Sequence, residues 1–127
     1  MVSLPLTLLP DLLAVCRLPP DAPLPAWATG RGFISITRTD EELSIVVHQD
    51  RVPGDTTAVG PWRALKVQGP LDFALTGILA ALTAPLAEVG ISLFAIATYD
   101  TDYILVREER LQAAINALRA AGHLVAA

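Results

Sequence analysis

One cysteine, two histidines and a charged fraction of only 17% leave this 127-residue sequence poor in the groups on which most catalytic and metal chemistry depends. Cys16 stands alone and cannot close an internal disulfide, which suits a reducing compartment. No helix start or basic cluster surrounds it, so it reads as a buried strand thiol. His48 and His123 fall on separate strand segments, and no Cys, His and Asp group has ligand spacing. Neither a metal nor a cofactor is expected, and both histidines read as surface or strand-end residues. The nine Lys and Arg are scattered and the net charge is −4, which argues against the basic face of a nucleic-acid binder. No basic amphipathic stretch points to a membrane surface. The longest apolar run, residues 71–97, is interrupted by Asp72, Gly77, Pro85, Glu88 and Gly90 and is amphipathic, so it does not read as a membrane span. The opening Met1-Val2-Ser3-Leu4-Pro5 has no basic region or clear cleavage site, and no signal peptide is expected. Walker-type loops and G-x-S-x-G elbows are missing, Gly30-Arg31-Gly32 lacks the helix that a phosphate cradle requires, and Glu41, Glu42, Glu108 and Glu109 read as solvated helix starts. A soluble cytoplasmic protein that is not an enzyme is the expectation.

Apolar residues, in contrast, make up 53% of the chain. That is ample for one core or two small ones, and the apolar surface left over favours a second subunit. In the C-terminal half, Leu65 and Val67 alternate with Lys66 and Gln68 as in a half-buried strand. After Gly69-Pro70, the positions Leu75, Ile78, Leu79, Leu82, Leu86 and Val89 form one stripe of an amphipathic helix; Pro85 should kink it and Gly90 end it. Residues 91–98 read as a strand apolar on both faces, hence central, and a polar turn at residues 99–102 leads into a strand at residues 103–106. Glu108 and Glu109 open a second helix with a stripe at Leu111, Ala114, Ile115 and Leu118; Gly122 closes it, and residues 123–125 form a last strand. The order is βαββαβ: an antiparallel sheet with both helices on one face.

The N-terminal half reads as a worn version of the same plan. Strands are expected at residues 12–18, 33–37 and 43–48, with an edge strand at residues 6–9. A short helix around Ala26-Trp27-Ala28 follows a Pro-rich link, and residues 39–42 make at most one helical turn. The Gly-, Pro- and Thr-rich residues 52–61 are the natural boundary. The expected fold class is therefore α+β, with two ferredoxin-like units: a degenerate one over residues 1–60 and a complete one over residues 61–127.

Two segments carry polar groups suited to a ligand. Residues 69–78 pass from strand to helix with glycines at both ends, and a helix start offers unpaired N–H groups to a carboxylate. Residues 97–103 crowd two hydroxyls, two carboxylates and two aromatics into one hairpin turn. An ordinary capped helix start and a self-satisfied Thr/Asp turn explain either segment taken alone. The βαββαβ order, however, sets the hairpin beside the first helix start.

The same residues resemble a known family. Ala97-Thr98-Tyr99-Asp100-Thr101-Asp102-Tyr103-Ile104-Leu105-Val106-Arg107-Glu108-Glu109 is similar to the S-T-[YF]-x-T-D-[YF]-[IV]-L-V-[RK]-E segment of ACT-domain proteins related to the CASTOR cytosolic arginine sensors. Phe33-Ile34-Ser35-Ile36-Thr37-Arg38-Thr39 resembles the F-[FI]-S-[IL]-T-x-T segment of their first ACT unit, and Ala84-Pro85-Leu86-Ala87-Glu88 matches their A-P-L-A-E, proline included. The likeness spans residue 12 to the end and is to the short bacterial type with two tandem units. It implies an amino-acid ligand at the seam of two ACT units, and a homodimer formed by sheet pairing, with internal pairing of the two units in a monomer as the other arrangement. By position, Asp72, Thr76, Gly77 and Ile78 are to receive the ligand's carboxylate and amine. Thr98, Tyr99, Thr101 and Asp102 are to enclose its side chain, with Asp102 facing any cationic group. Ser92 and Leu93 of the opposing unit are to add backbone groups. A glycine stands in the sensors where this chain has Asp72, so the ligand need not be arginine. The alternative is an ACT-like interaction module that binds no ligand.

Overall fold

A computed structural model describes residues 2–69 and 76–127. It divides into two compact units, Met1–Pro10 with Arg63–Ala127 and Asp11–Trp62. One long strand, β5 (Thr57–Val67), contributes to both.

In the first unit, β5 pairs antiparallel with β1 (Pro5–Leu8), placing Leu6 opposite Val67, and β1 pairs parallel with β8 (Leu124–Ala126). β7 (Asp102–Arg107) pairs with β5 and with β6 (Leu93–Ala97). The unit's strand order is thus β8-β1-β5-β7-β6. Alternation sends Leu6, Leu65, Val67, Ile104, Val106 and Val125 to one face. There they meet Leu82 and Leu86 of α1 (Ile78–Glu88) and Ala114, Ile115 and Leu118 of α2 (Leu111–Ala120) in a single core. The two helices share one face, as the α+β reading requires.

Both helices stop in the same way. Gly122 sits at φ +95° beyond α2; its N–H reaches the Arg119 carbonyl at 3.0 Å, and the His123 N–H reaches the Leu118 carbonyl at 3.0 Å. Gly90 and Ile91 repeat this Schellman pattern behind α1. The residue after the glycine is carried inward in each case: Ile91 is 4% exposed and so is His123.

The second unit pairs β2 (Leu13–Leu18) with β4 (Leu43–His48) and with the first half of β5, and β3 (Ser35–Arg38) lies outside β4. Ala14 and Cys16 of β2 and Leu43, Ile45 and Val47 of β4 form its core, closed by Ala28 of a 3-10 turn at Ala26–Ala28 and by Trp27 and Ile34 at the margin. Cys16 is the buried strand thiol expected, 1% exposed, and burial pushes its pKa up from 9.0.

Five local expectations are corrected. Residues 6–9 are not at an edge, because β1 lies between β5 and β8. β6, apolar on both faces and expected at the centre, pairs with β7 alone among the described residues. Residues 39–42 form no helical turn: the Thr39 hydroxyl accepts the N–H groups of Glu41 and Glu42 and closes a hairpin. Leu79 and Val89 leave the buried stripe, being 43% and 51% exposed, since α1 buries the line through Leu82 and Leu86 instead. His123 is buried rather than at the surface, whereas His48 does end a strand, half-buried.

Candidate functional site

The hairpin between β6 and β7 is built by two threonines. The Thr98 N–H donates to the Thr101 carbonyl at 2.9 Å, and the Thr98 hydroxyl donates to that same carbonyl at 2.9 Å. The Thr101 N–H in turn reaches Thr98 Oγ1 at 3.3 Å. The Thr101 side chain points the other way: it is 3% exposed, and its Oγ1 donates to the Val67 carbonyl at 2.6 Å. This bond ties the hairpin to the last residue of β5. The turn is therefore preformed, and both hydroxyls expected around a ligand are already engaged in holding it.

Tyr99 stands at the tip, 82% exposed. Asp102 opens β7 opposite Ala97 and shares the helix-side face with Ile104 and Val106. Thr76 and Gly77 are exposed at the start of α1, and Ile78, the first residue of the helix, is half-buried. Gly77 is the N-cap at φ +77°, in the left-handed region, with open space where a Cβ would stand. Asp72 lies outside the described residues.

The chain path sorts these positions into two groups. The tight reversal at Gly90 turns the chain back along α1 into β6, so β6 ends near the level at which α1 begins. The hairpin, Asp102 and the helix start share that end of the unit. Ser92 and Leu93 sit at the other end of β6, about 13–16 Å from Ala97 at ~3.3 Å per residue. One copy of the unit does not bring them to the hairpin.

A second buried polar group lies on the far side of α1. Pro85 has no N–H, so the Ala81 carbonyl lacks its partner within the helix. His123 Nε2 donates to that carbonyl at 2.8 Å, and His123 Nδ1 accepts the Leu4 N–H at 3.1 Å. Sequence reasoning missed this residue. The available signals were its place behind Gly122, which a Schellman motif commonly carries inward, and the proline inside α1. Solvent-open grooves of about 480 and 450 Å³ run beside the imidazole, one along β1 and β8 and the other along α1, where Gly77 contributes to the wall.

Elsewhere in the unit, Arg63 of β5 reaches Glu108 at 3.3 Å and the Leu9 carbonyl at 3.1 Å, tying the end of β1 to the residues preceding α2. Among the described residues, no group of three or more His, Cys, Asp or Glu is placed to hold a metal ion, and no helix is long and apolar enough to cross a membrane.

Two helices on one face of a mixed sheet, with a rigid hairpin at the helix-start end, define a ferredoxin-like α+β domain. Comparison with known proteins specifies it. A family model described as "ACT domain" matches residues 57–120, half of the chain, and a second model, for an N-terminal domain, matches residues 11–55. The chain belongs to the ACT-domain family.

Within that family it is related to the cytosolic arginine sensors. It is 34% identical over 97 residues to the cytosolic arginine sensor for mTORC1 subunit 1 of Bos taurus, a match covering 68% of this chain and 30% of that one. The chain thus spans under a third of the length of that sensor. Among solved structures, an Agrobacterium tumefaciens protein is 41% identical with a TM-score of 0.93, over 99% of this chain and 94% of that one. The regulatory subunit of aspartate kinase from Thermus flavus shares the fold, with a TM-score of 0.64 at 15% identity over 91% and 95% of the two chains. The Bos taurus protein is named as a sensor and the Thermus flavus protein as a regulatory subunit.

Proposed function

We propose that this chain is an amino-acid-binding regulatory protein of the cytoplasm, working as a homodimer and carrying no catalytic activity. The observation that carries the reading is the preformed hairpin. Thr98 and Thr101 fix the turn, so Tyr99 and Asp102 are presented from a rigid base at the end of the unit where α1 starts. A rigid base lowers the ordering cost of binding. Asp102 supplies a carboxylate for a cationic or ammonium group, and the Tyr99 ring can cover an aliphatic stem.

A second copy completes the site. Among the described residues β6 is an edge strand of five uncharged residues, Leu93–Ala97, without the Lys, Pro or bulge that usually blocks an edge. The other edge strand of this unit, β8, is guarded: Arg119 donates to the Val125 carbonyl at 2.7 Å. Antiparallel pairing of two β6 strands about Ala95 sets Leu93 of one copy opposite Ala97 of the other, and Ser92 beside Thr98. Both halves of the expected ligand set then meet. In this reading residues 61–127, completed by β1, form the ligand-binding ACT unit, and the rest of residues 1–60 is its degenerate companion.

The competing reading is an interaction module without a ligand, favoured by the internal engagement of both threonine hydroxyls. Calorimetric titration with each of the twenty amino acids, followed by Asp102→Ala, separates the two. The sensor reading expects one class of amino acid to bind and Asp102→Ala to weaken it at least tenfold with the fold intact. Binding that Asp102→Ala leaves unchanged overturns the proposed site, and no binding by any amino acid favours the interaction module.

A further inference from the structure

Pro85 sits in the eighth position of an eleven-residue helix that nevertheless continues past it. The carbonyl it orphans is held by a side chain 42 residues further along the chain. We propose that His123 is a latch for α1: a conformational device that seats the helix on the sheet and whose release lets α1 open as a local unit while the rest of the fold persists.

The hydrogen bonds form one continuous path. The Gly77 carbonyl accepts the Ala81 N–H at 2.9 Å, and the Ala81 carbonyl accepts His123 Nε2–H. His123 Nδ1 accepts the Leu4 N–H, and the Leu4 carbonyl accepts the Leu124 N–H at 3.0 Å. The path starts at the N-cap of α1 and ends at the pairing of β1 with β8. Both imidazole nitrogens are used, which fixes the neutral Nε2–H tautomer. The residue is 4% exposed, so both bonds are largely shielded from water while the helix is seated.

Two features make α1 depend on this contact. Its buried residues are few, Leu82 and Leu86 with Ile78 and Ala81 at the margin. A solvent-open groove of about 450 Å³ also runs beside the helix at Gly77, Ala81, Ala84 and Pro85, so that side of α1 is not packed into the core. α2, by comparison, runs without an interior proline and buries three residues. Pro85 and His123 therefore form a pair: the proline removes the helix's own donor and the imidazole supplies one from outside. The latch works whether or not α1 receives a ligand.

The test is a double-mutant cycle read by amide hydrogen exchange. His123→Leu leaves the Ala81 carbonyl without a donor, and α1 amides from Leu82 to Glu88 should exchange about tenfold to a hundredfold faster, the range set by losing one buried hydrogen bond. Pro85→Ala restores an N–H to the helix. In that background His123→Leu should change α1 exchange less than about threefold, while exchange at Leu4 rises in both backgrounds because its acceptor is lost in both. His123→Gln, which keeps a donor and an acceptor, should stay within about threefold of the native chain and guards against a His123→Leu chain that fails to fold. Equal acceleration of α1 in the native and Pro85→Ala backgrounds overturns the pairing, and so does unchanged α1 exchange in His123→Leu.

Discussion

Replacing Thr101 by valine isolates the bond that fixes the hairpin. The two side chains have nearly the same shape, so the change removes one hydroxyl and little else. That hydroxyl is buried and donates to the Val67 carbonyl at 2.6 Å. Losing a buried hydrogen bond costs about 1–3 kcal/mol, because the acceptor stays desolvated without a partner. At ~2.1 cal/mol/K of unfolding entropy per residue, a chain of this length changes its melting temperature by about 4 °C for each kcal/mol. Thr101→Val should therefore lower Tm by about 4–11 °C in scanning calorimetry. Thr101→Ser keeps the hydroxyl and loses one methyl, for about 1 kcal/mol. The hairpin amides from Tyr99 to Tyr103 should also lose exchange protection in the valine variant and keep it in the serine variant. A valine variant within about 1 °C of the native chain, or a serine variant that melts lower than the valine one, refutes the assignment of Thr101 as the pin.

Two further predictions rest on single residues. Burial raises the Cys16 thiol pKa above 9.0, so the native state keeps its proton where the unfolded chain releases it; this contribution is complete below pH 9 and falls as pH rises through the folded value. Native Cys16 should resist thiol reagents at pH 8, and Cys16→Ala should flatten the stability loss above pH 9 in urea titrations; an identical slope in both chains removes the thiol from the account. Gly77→Ala adds a Cβ that meets nothing but must adopt φ +77°, so it should cost about 1 kcal/mol in urea unfolding, with Gly77→Asn costing less. A loss above about 3 kcal/mol would reveal a packing role that the open space does not show.

Alternation and helical spacing made most of this fold legible. Leu65 and Val67, Leu82 and Leu86, and the α2 stripe at Ala114, Ile115 and Leu118 all lie where their periodicity puts them. The glycines at 90 and 122 end the helices as expected. Position within the sheet was not legible. β6 reads as central because both faces are apolar, yet a strand apolar on both faces is also what an edge awaiting a partner requires. β1 enters between β5 and β8 through pairings about 60 and 119 residues apart, which no local pattern announces.

The candidate site divides along the same line. The residue types of the hairpin were visible, but not that Thr101 turns inward to Val67, since that bond spans 34 residues. His123 shows the limit more sharply. Its partners are two backbone groups, at Leu4 and Ala81, and backbone groups leave no mark in a sequence except through the proline that frees one of them.

A thermal-shift screen of the purified protein against the twenty amino acids, one at a time, decides whether the chain is an amino-acid sensor. A ligand at about 100 times its Kd stabilises the native state by roughly 2.7 kcal/mol, which for this chain raises Tm by about 10 °C. The account predicts such a shift for one amino acid or one chemical class, and its loss in Asp102→Ala. A flat screen across all twenty contradicts it and leaves the chain as an interaction module.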